Sequence, residues 1–234
     1  MSTRPMFTRA AIVLFGWLAA FTLGHAQAPA SETFTEGKNY FLIEPAQPGT
    51  VDGKVEVVEI FSYACPACNA FQPTIKKLRA ALPANAVMTY LPASFRPDED
   101  WPVFQRAYYA AQALGIADKV HDALFDAVWK DDGTLRITDA KTHQPLKPMP
   151  SIEDVAKFFA GHGVSVDDAI GTANSFAVNA KMKRADALLK AYGVDSTPTL
   201  VVAGKYRVTA RSAGDLDKLV PLVNYLVAKE SVGH

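Results

Sequence analysis

The chain of 234 residues has only two cysteines, Cys65 and Cys68. That scarcity excludes a fold stapled by several disulfides. A bridge between residues three apart would itself be a poor staple, because so short a loop removes little unfolded-chain entropy. Histidine is also sparse, and His121, His143 and His162 show no ligand spacing, whereas zinc asks for about four ligands. Neither sign of charge is in excess, with 24 Lys+Arg against 24 Asp+Glu, and no basic stripe suggests nucleic acid. Beyond the first residues no segment is apolar enough to cross a membrane, and there is no internal repeat or low-complexity tract.

The exception at the N-terminus has the form of an export signal. Arg4 and Arg9 precede an apolar stretch from Ala10 to Leu23, and small residues follow at Gly24, Ala26 and Ala28. The apolar run falls short of the roughly 20 residues of a spanning helix, so residues 1–26 are expected to be a cleaved signal peptide. Cleavage after Ala28 is the alternative, but it leaves Pro29 beside the scissile bond. The remaining 208 or so residues are long enough to bury a core without staples. Removing Arg4 and Arg9 leaves 22 basic against 24 acidic residues, a net charge of about −2. Export changes the meaning of the two cysteines. A sole disulfide placed where stabilisation is weak, in a protein expected outside the cytoplasm, favours a catalytic role.

Val55 to Ser62 is β-branched and apolar, as a buried central strand should be. A short strand is expected over Tyr40–Ile43, and a turn-rich connector over Gln47–Gly53. From Pro66, the spacing of Ala70, Phe71, Thr74, Ile75, Leu78 and Leu82 predicts a helix with Pro73 as a kink. Val87–Leu91 is the next strand, so strand, helix and strand form a crossover. Helical periodicity then takes over through Phe104–Leu114 and Val120–Val128. Ser151 and Asp154 predict a capping box, and Ala177–Tyr192 a long helix ended by Gly193. Strand signal returns at Thr199–Val202, with Gly204-Lys205 as a hairpin turn into Tyr206–Val208. A last helix covers Leu216–Leu226, bent at Pro221. The last two strands have no sheet of their own. The chain is therefore expected to be one α/β domain, residues 27–95 and 192–234, interrupted by a helical insertion over 96–191.

Cys65-Pro66-Ala67-Cys68 stands at the strand-to-helix corner. With Pro66 at the first helical position, Cys65 is the N-cap, where free N–H groups and the helix dipole favour a thiolate. The thiolate is the reactive form, so Cys65 is the candidate nucleophile, and Cys68, one turn inside, the resolving sulfur. A zinc half-site and an inert bridge are the rival readings. Thr197-Pro198, entering a strand from a turn, is a second feature, although most such prolines are trans. Glu59, in the strand ahead of the dithiol, reads equally well as a surface acid or a buried one.

Glu59-Ile60-Phe61-Ser62-Tyr63-Ala64-Cys65-Pro66-Ala67-Cys68, Thr197-Pro198 and the inserted helices together resemble the DsbA-like thiol:disulfide oxidoreductases of the thioredoxin superfamily. Glu36–Tyr40, Asn174-Ser175-Phe176 and Gly204-Lys205-Tyr206 extend the resemblance over nearly all of the exported chain. The resemblance implies a thioredoxin fold with an inserted helical domain, and a cis bond at Thr197–Pro198 beside the sulfurs. It implies that Glu59 is a buried acid near Cys68 that assists proton transfer. It further implies a periplasmic, monomeric donor of disulfides to folding secreted polypeptides, with no cofactor beyond the Cys65–Cys68 disulfide. A DsbB-like, quinone-linked membrane oxidase would reoxidise it.

The alternatives are a disulfide reductase or isomerase, or a peptide-binding chaperone with incidental cysteines. The related isomerases usually carry a dimerisation module, for which the exported N-terminus is expected to have no room. Many family members have His where this chain has Ala67. A methyl group cannot stabilise the Cys65 thiolate, so a milder oxidant is expected. Phe61, Tyr63, Phe71 and Pro198 are candidates for an apolar surface around the sulfurs, although each taken singly suits the core.

Overall fold

The computed structural model describes Met1 and residues 34–142 and 144–231. The expected leader, apart from Met1, lies outside these residues, as does His143. Six strands form one sheet. Its centre is β3 (Lys54–Phe61), flanked by β4 (Ala86–Pro92) in parallel and β5 (Thr199–Val202) antiparallel. Outward from β5 follow β6 (Tyr206–Thr209) and then β1 (Phe41–Leu42), while β2 (Thr50–Val51) folds back on the start of β3. The connector expected over Gln47–Gly53 thus carries a two-residue strand.

Helix α1 (Pro66–Ala81) joins β3 to its parallel neighbour β4, and it runs through Pro73 without interruption. Between β4 and β5 come α2 (Trp101–Ala113), α3 (Ala117–Trp129), α4 (Ile152–Ala160), α5 (Val166–Ala173) and α6 (Phe176–Ala191). Ser151 and Asp154 form the reciprocal capping box of α4, and Ser165 and Ser175 cap α5 and α6. Short α7 (Ala210–Ala213) and long α8 (Leu219–Ser231) close the chain. Pro221 falls in the first turn of α8, behind a 3-10 turn over Leu216–Lys218, so its missing N–H costs the helix nothing there. The β5–β6 turn also sits one residue earlier than expected. Ala203 and Gly204 are its two positive-φ residues, and Lys205 N–H bonds back to Val202.

Side-chain alternation along β3 divides the core in two. Val57 packs with Leu200, Val202 and Val208 under Phe71, Ile75 and Leu78 of α1 and Leu222 and Leu226 of α8. Val58 and Ile60 join Leu91 and Val201 in a second cluster built largely from α2–α6. Glu59 has the parity of Val57, so the sheet turns it toward the layer containing α1. The antiparallel register sets Thr199 opposite Ile60. The loop entering β5 is thereby delivered to the C-terminal end of β3, where the chain leaves for Cys65.

Candidate active site

Cys65 is the N-cap of α1, with extended backbone (φ −88°, ψ 115°) and Pro66 in the first turn. Its sulfur accepts the Cys68 N–H at 3.4 Å and lies 3.7 Å from the Thr197 carbonyl oxygen. Its own N–H bonds to the Ser62 carbonyl at 3.1 Å. Both cysteines are free thiols. Pro66 and Ala67 are exposed, Thr197 and Pro198 half-buried, Cys65 is 5% exposed and Cys68 fully enclosed. An incoming sulfur can therefore reach Cys65 but not Cys68.

This burial difference separates two chemically identical groups. A hydrogen bond from Cys68 is the largest influence on Cys65. It outweighs desolvation and, with the Thr197 side chain and the N–H groups of Cys68 and Ala67, lowers the thiol from 9.0 to about 6. Cys68 moves the opposite way, far above the ordinary thiol range, first through burial and then through its bond to Cys65. At neutral pH the outer sulfur is a thiolate and the inner one a thiol.

Glu59 is fully buried, and none of the described residues hydrogen-bonds either carboxylate oxygen. Desolvation, followed by the nearby Cys65 charge, pushes it up to about 8, so it holds a proton at neutral pH. The Thr197–Pro198 peptide is cis. The fold thus gathers Glu59, Cys65, Pro66, Ala67, Cys68, Thr197 and Pro198 at one end of the central strand pair.

The aromatic residues near the motif are not an exposed apolar surface: Phe61, Tyr63 and Phe71 are all core. A strand end and a helix interior that face two packed layers leave those rings no route to solvent. Of the four candidates Pro198 alone is partly accessible, beside the exposed Pro66 and Ala67 and the half-buried Thr197. Sequence reasoning also missed the neighbours of Tyr63. Its hydroxyl bonds His121 Nδ1 at 2.9 Å, and its carbonyl accepts the Trp129 indole N–H at 2.7 Å. The available signal was the place of His121 beside Val120 on the apolar face of α3, with Leu124 and Phe125 one turn on.

An acidic N-cap thiol, a buried partner thiol one turn away and a cis-proline loop across from them, all on this sheet, define a thioredoxin-fold thiol:disulfide oxidoreductase. The family model of the DSBA-like thioredoxin domain matches residues 56–222. The thiol:disulfide interchange protein DsbA of Pseudomonas aeruginosa is 35% identical over 219 residues, covering 94% of this chain and 96% of that protein. The crystal structure of Pseudomonas aeruginosa DsbA superposes with a TM-score of 0.71 at 36% identity, covering 86% of this chain and 96% of that one. DsbA from Xylella fastidiosa gives 0.71 at 32%, covering 84% and 97%. The chain belongs to the DsbA-like family.

Proposed function

We propose that this oxidoreductase works in the periplasm as a donor of disulfides to exported, folding polypeptides, with Cys65 as the sulfur that meets substrate. The observation carrying this reading is the opposed acidity of the two thiols, about 6 for Cys65 and far higher for Cys68. In the oxidised enzyme a substrate thiolate attacks Cys65 Sγ. The Cys65–Cys68 bond breaks, and its electron pair leaves on Cys68, which takes up a proton. Glu59, buried and protonated at neutral pH, is the local source of that proton. A second substrate thiolate then attacks the substrate sulfur of the mixed disulfide and expels Cys65 as a thiolate. The substrate loses two electrons and two protons, and the enzyme gains both electrons as its dithiol. A low-pKa sulfur is the better leaving group, which favours release of the oxidised substrate.

Turnover requires an oxidant for the dithiol. A DsbB-like membrane oxidase passing electrons to quinone fits that need, with this chain acting as a monomer that carries no further cofactor. The leader pattern before Gln27 supports export.

Equilibration with glutathione tests the direction of transfer. A donor is mostly dithiol at a poise where thioredoxin stays disulfide-bonded; if both remain oxidised there, the reductase reading replaces this one. Cys65→Ser should abolish oxidation of a reduced, unfolded client. Client protection from aggregation that Cys65→Ser retains in full, with no oxidation of the client by the wild type to lose, would point to a chaperone with incidental cysteines.

A further inference from the structure

We propose that His121 and Trp129 are positioning residues for the dithiol, and that helix α3 tunes the redox centre by gripping Tyr63 at both ends. The proposal deepens the oxidoreductase reading and rests on it. Tyr63 lies two residues before Cys65 and is 1% exposed. Its hydroxyl meets His121 Nδ1 at 2.9 Å and its carbonyl meets Trp129 Nε1 at 2.7 Å. Those two partners are eight residues apart on one helix, a span of about 12 Å at 1.5 Å per residue. Contacts so far apart fix the orientation of Tyr63 as well as its position.

Packing leaves the ring little freedom between them. Phe61 and Phe125 stand edge-on at 5.0 Å, with the His121 ring at 5.5 Å. Burial holds His121 near 4, so it stays neutral at working pH and can share a hydrogen bond with the phenol.

The Tyr63 backbone is continuous with the groups that touch the sulfurs. Ser62 accepts the Cys65 N–H through its carbonyl at 3.1 Å and the Ala64 N–H through its hydroxyl at 3.2 Å. Its backbone is also among the influences that lower the Cys68 thiol against the burial that raises it. A shift of Tyr63 therefore moves Ser62 and Ala64, and with them the Cys65 backbone that presents its sulfur to the N–H groups of Ala67 and Cys68 at the start of α1. The ion pair from α3 to α1, Lys76–Asp122 at 2.8 Å, is half-exposed on both sides and holds little.

The effect should depend on redox state. Donor alignment matters to a thiolate, which exists only in the reduced form, whereas the disulfide is held by a covalent bond. A loosened corner should weaken the reduced form more than the oxidised one. A merely structural clamp would weaken both alike.

The test measures the Cys65 titration by thiolate absorbance and the equilibrium constant with glutathione, in wild type, Trp129→Phe and Tyr63→Phe, with urea unfolding of both redox forms alongside. Trp129→Phe should raise the Cys65 midpoint and shift the equilibrium at least threefold toward the disulfide, about 14 mV. Tyr63→Phe should shift it the same way by less. A shift below threefold, or toward the dithiol, in Trp129→Phe overturns the proposal even if stability falls. Should that variant not fold, a shift in Tyr63→Phe toward the disulfide supports the proposal, and none, or one toward the dithiol, overturns it. The wild-type equilibrium tests the donor reading separately, because the clamp is judged only by differences from it.

Discussion

Glu59→Gln keeps the shape of the side chain and removes its charge, so it isolates what burying that acid costs. In the fold the carboxyl is pushed from 4.5 to about 8, chiefly by desolvation and secondarily by the Cys65 charge. The unfolded chain, with the ordinary value, releases this proton near pH 4.5, while the folded chain keeps it. A raised folded value means that stability is greatest below the unfolded pKa and is lost as pH rises toward the folded one. The penalty is absent near pH 4 and grows by roughly 1.4 kcal/mol per pH unit through the middle of the window. It reaches roughly 3 kcal/mol at pH 7 and levels off above about 8. Urea unfolding of the reduced wild type and Glu59→Gln, from pH 4 to 8.5, should give a difference that starts small and opens in favour of Gln. Repeating it in a Cys65→Ser background should retain most of the slope, since desolvation is the larger cause. A difference that does not change with pH, or that closes as pH rises, would mean that Glu59 is not a buried, protonated acid in the fold.

Ala67→His should lower the Cys65 midpoint further and move the glutathione equilibrium toward the dithiol, because an imidazole beside the exposed corner can stabilise the thiolate; an unchanged or raised midpoint would sink the idea. Gly49→Ala should cost about 1–3 kcal/mol in urea unfolding, since its Cβ would run into the Ala203 carbonyl, and a neutral result would mean that this loop yields freely. Ser151→Ala should cost about 1 kcal/mol by removing one half of the α4 capping box, read as a lower urea midpoint with unchanged slope.

Several elements were legible because their causes are local. Pro66 after an apolar strand marks the start of α1, and Ser151 with Asp154 marks that of α4. Where local rules pointed the wrong way, either a distant neighbour or the preceding turn had intervened. The β5–β6 turn centres on Ala203-Gly204 rather than Gly204-Lys205, and a side chain on Gly204 would meet the carbonyls of Gln47 and Pro48. Pro221 has the composition of a bend but falls in a first turn, because the preceding residues tighten into a 3-10 turn.

The chemistry available is legible in the chain alone: two sulfurs one helical turn apart, a proline to start the helix, and an N-cap position for the first cysteine. These follow from spacing and backbone preference within about ten residues. How that chemistry is set depends on packing between distant segments. Thr197 reaches the Cys65 sulfur from 132 residues away because β5 runs antiparallel to β3. Glu59, which the sequence left open as a surface or a buried acid, is buried because its strand parity faces a covered layer. The acidity of Cys65 depends on which donors converge on it, and the grip on Tyr63 comes from a helix more than fifty residues further along the chain. Desolvation and hydrogen-bond alignment are properties of what surrounds a group, and that is fixed only when distant segments pack.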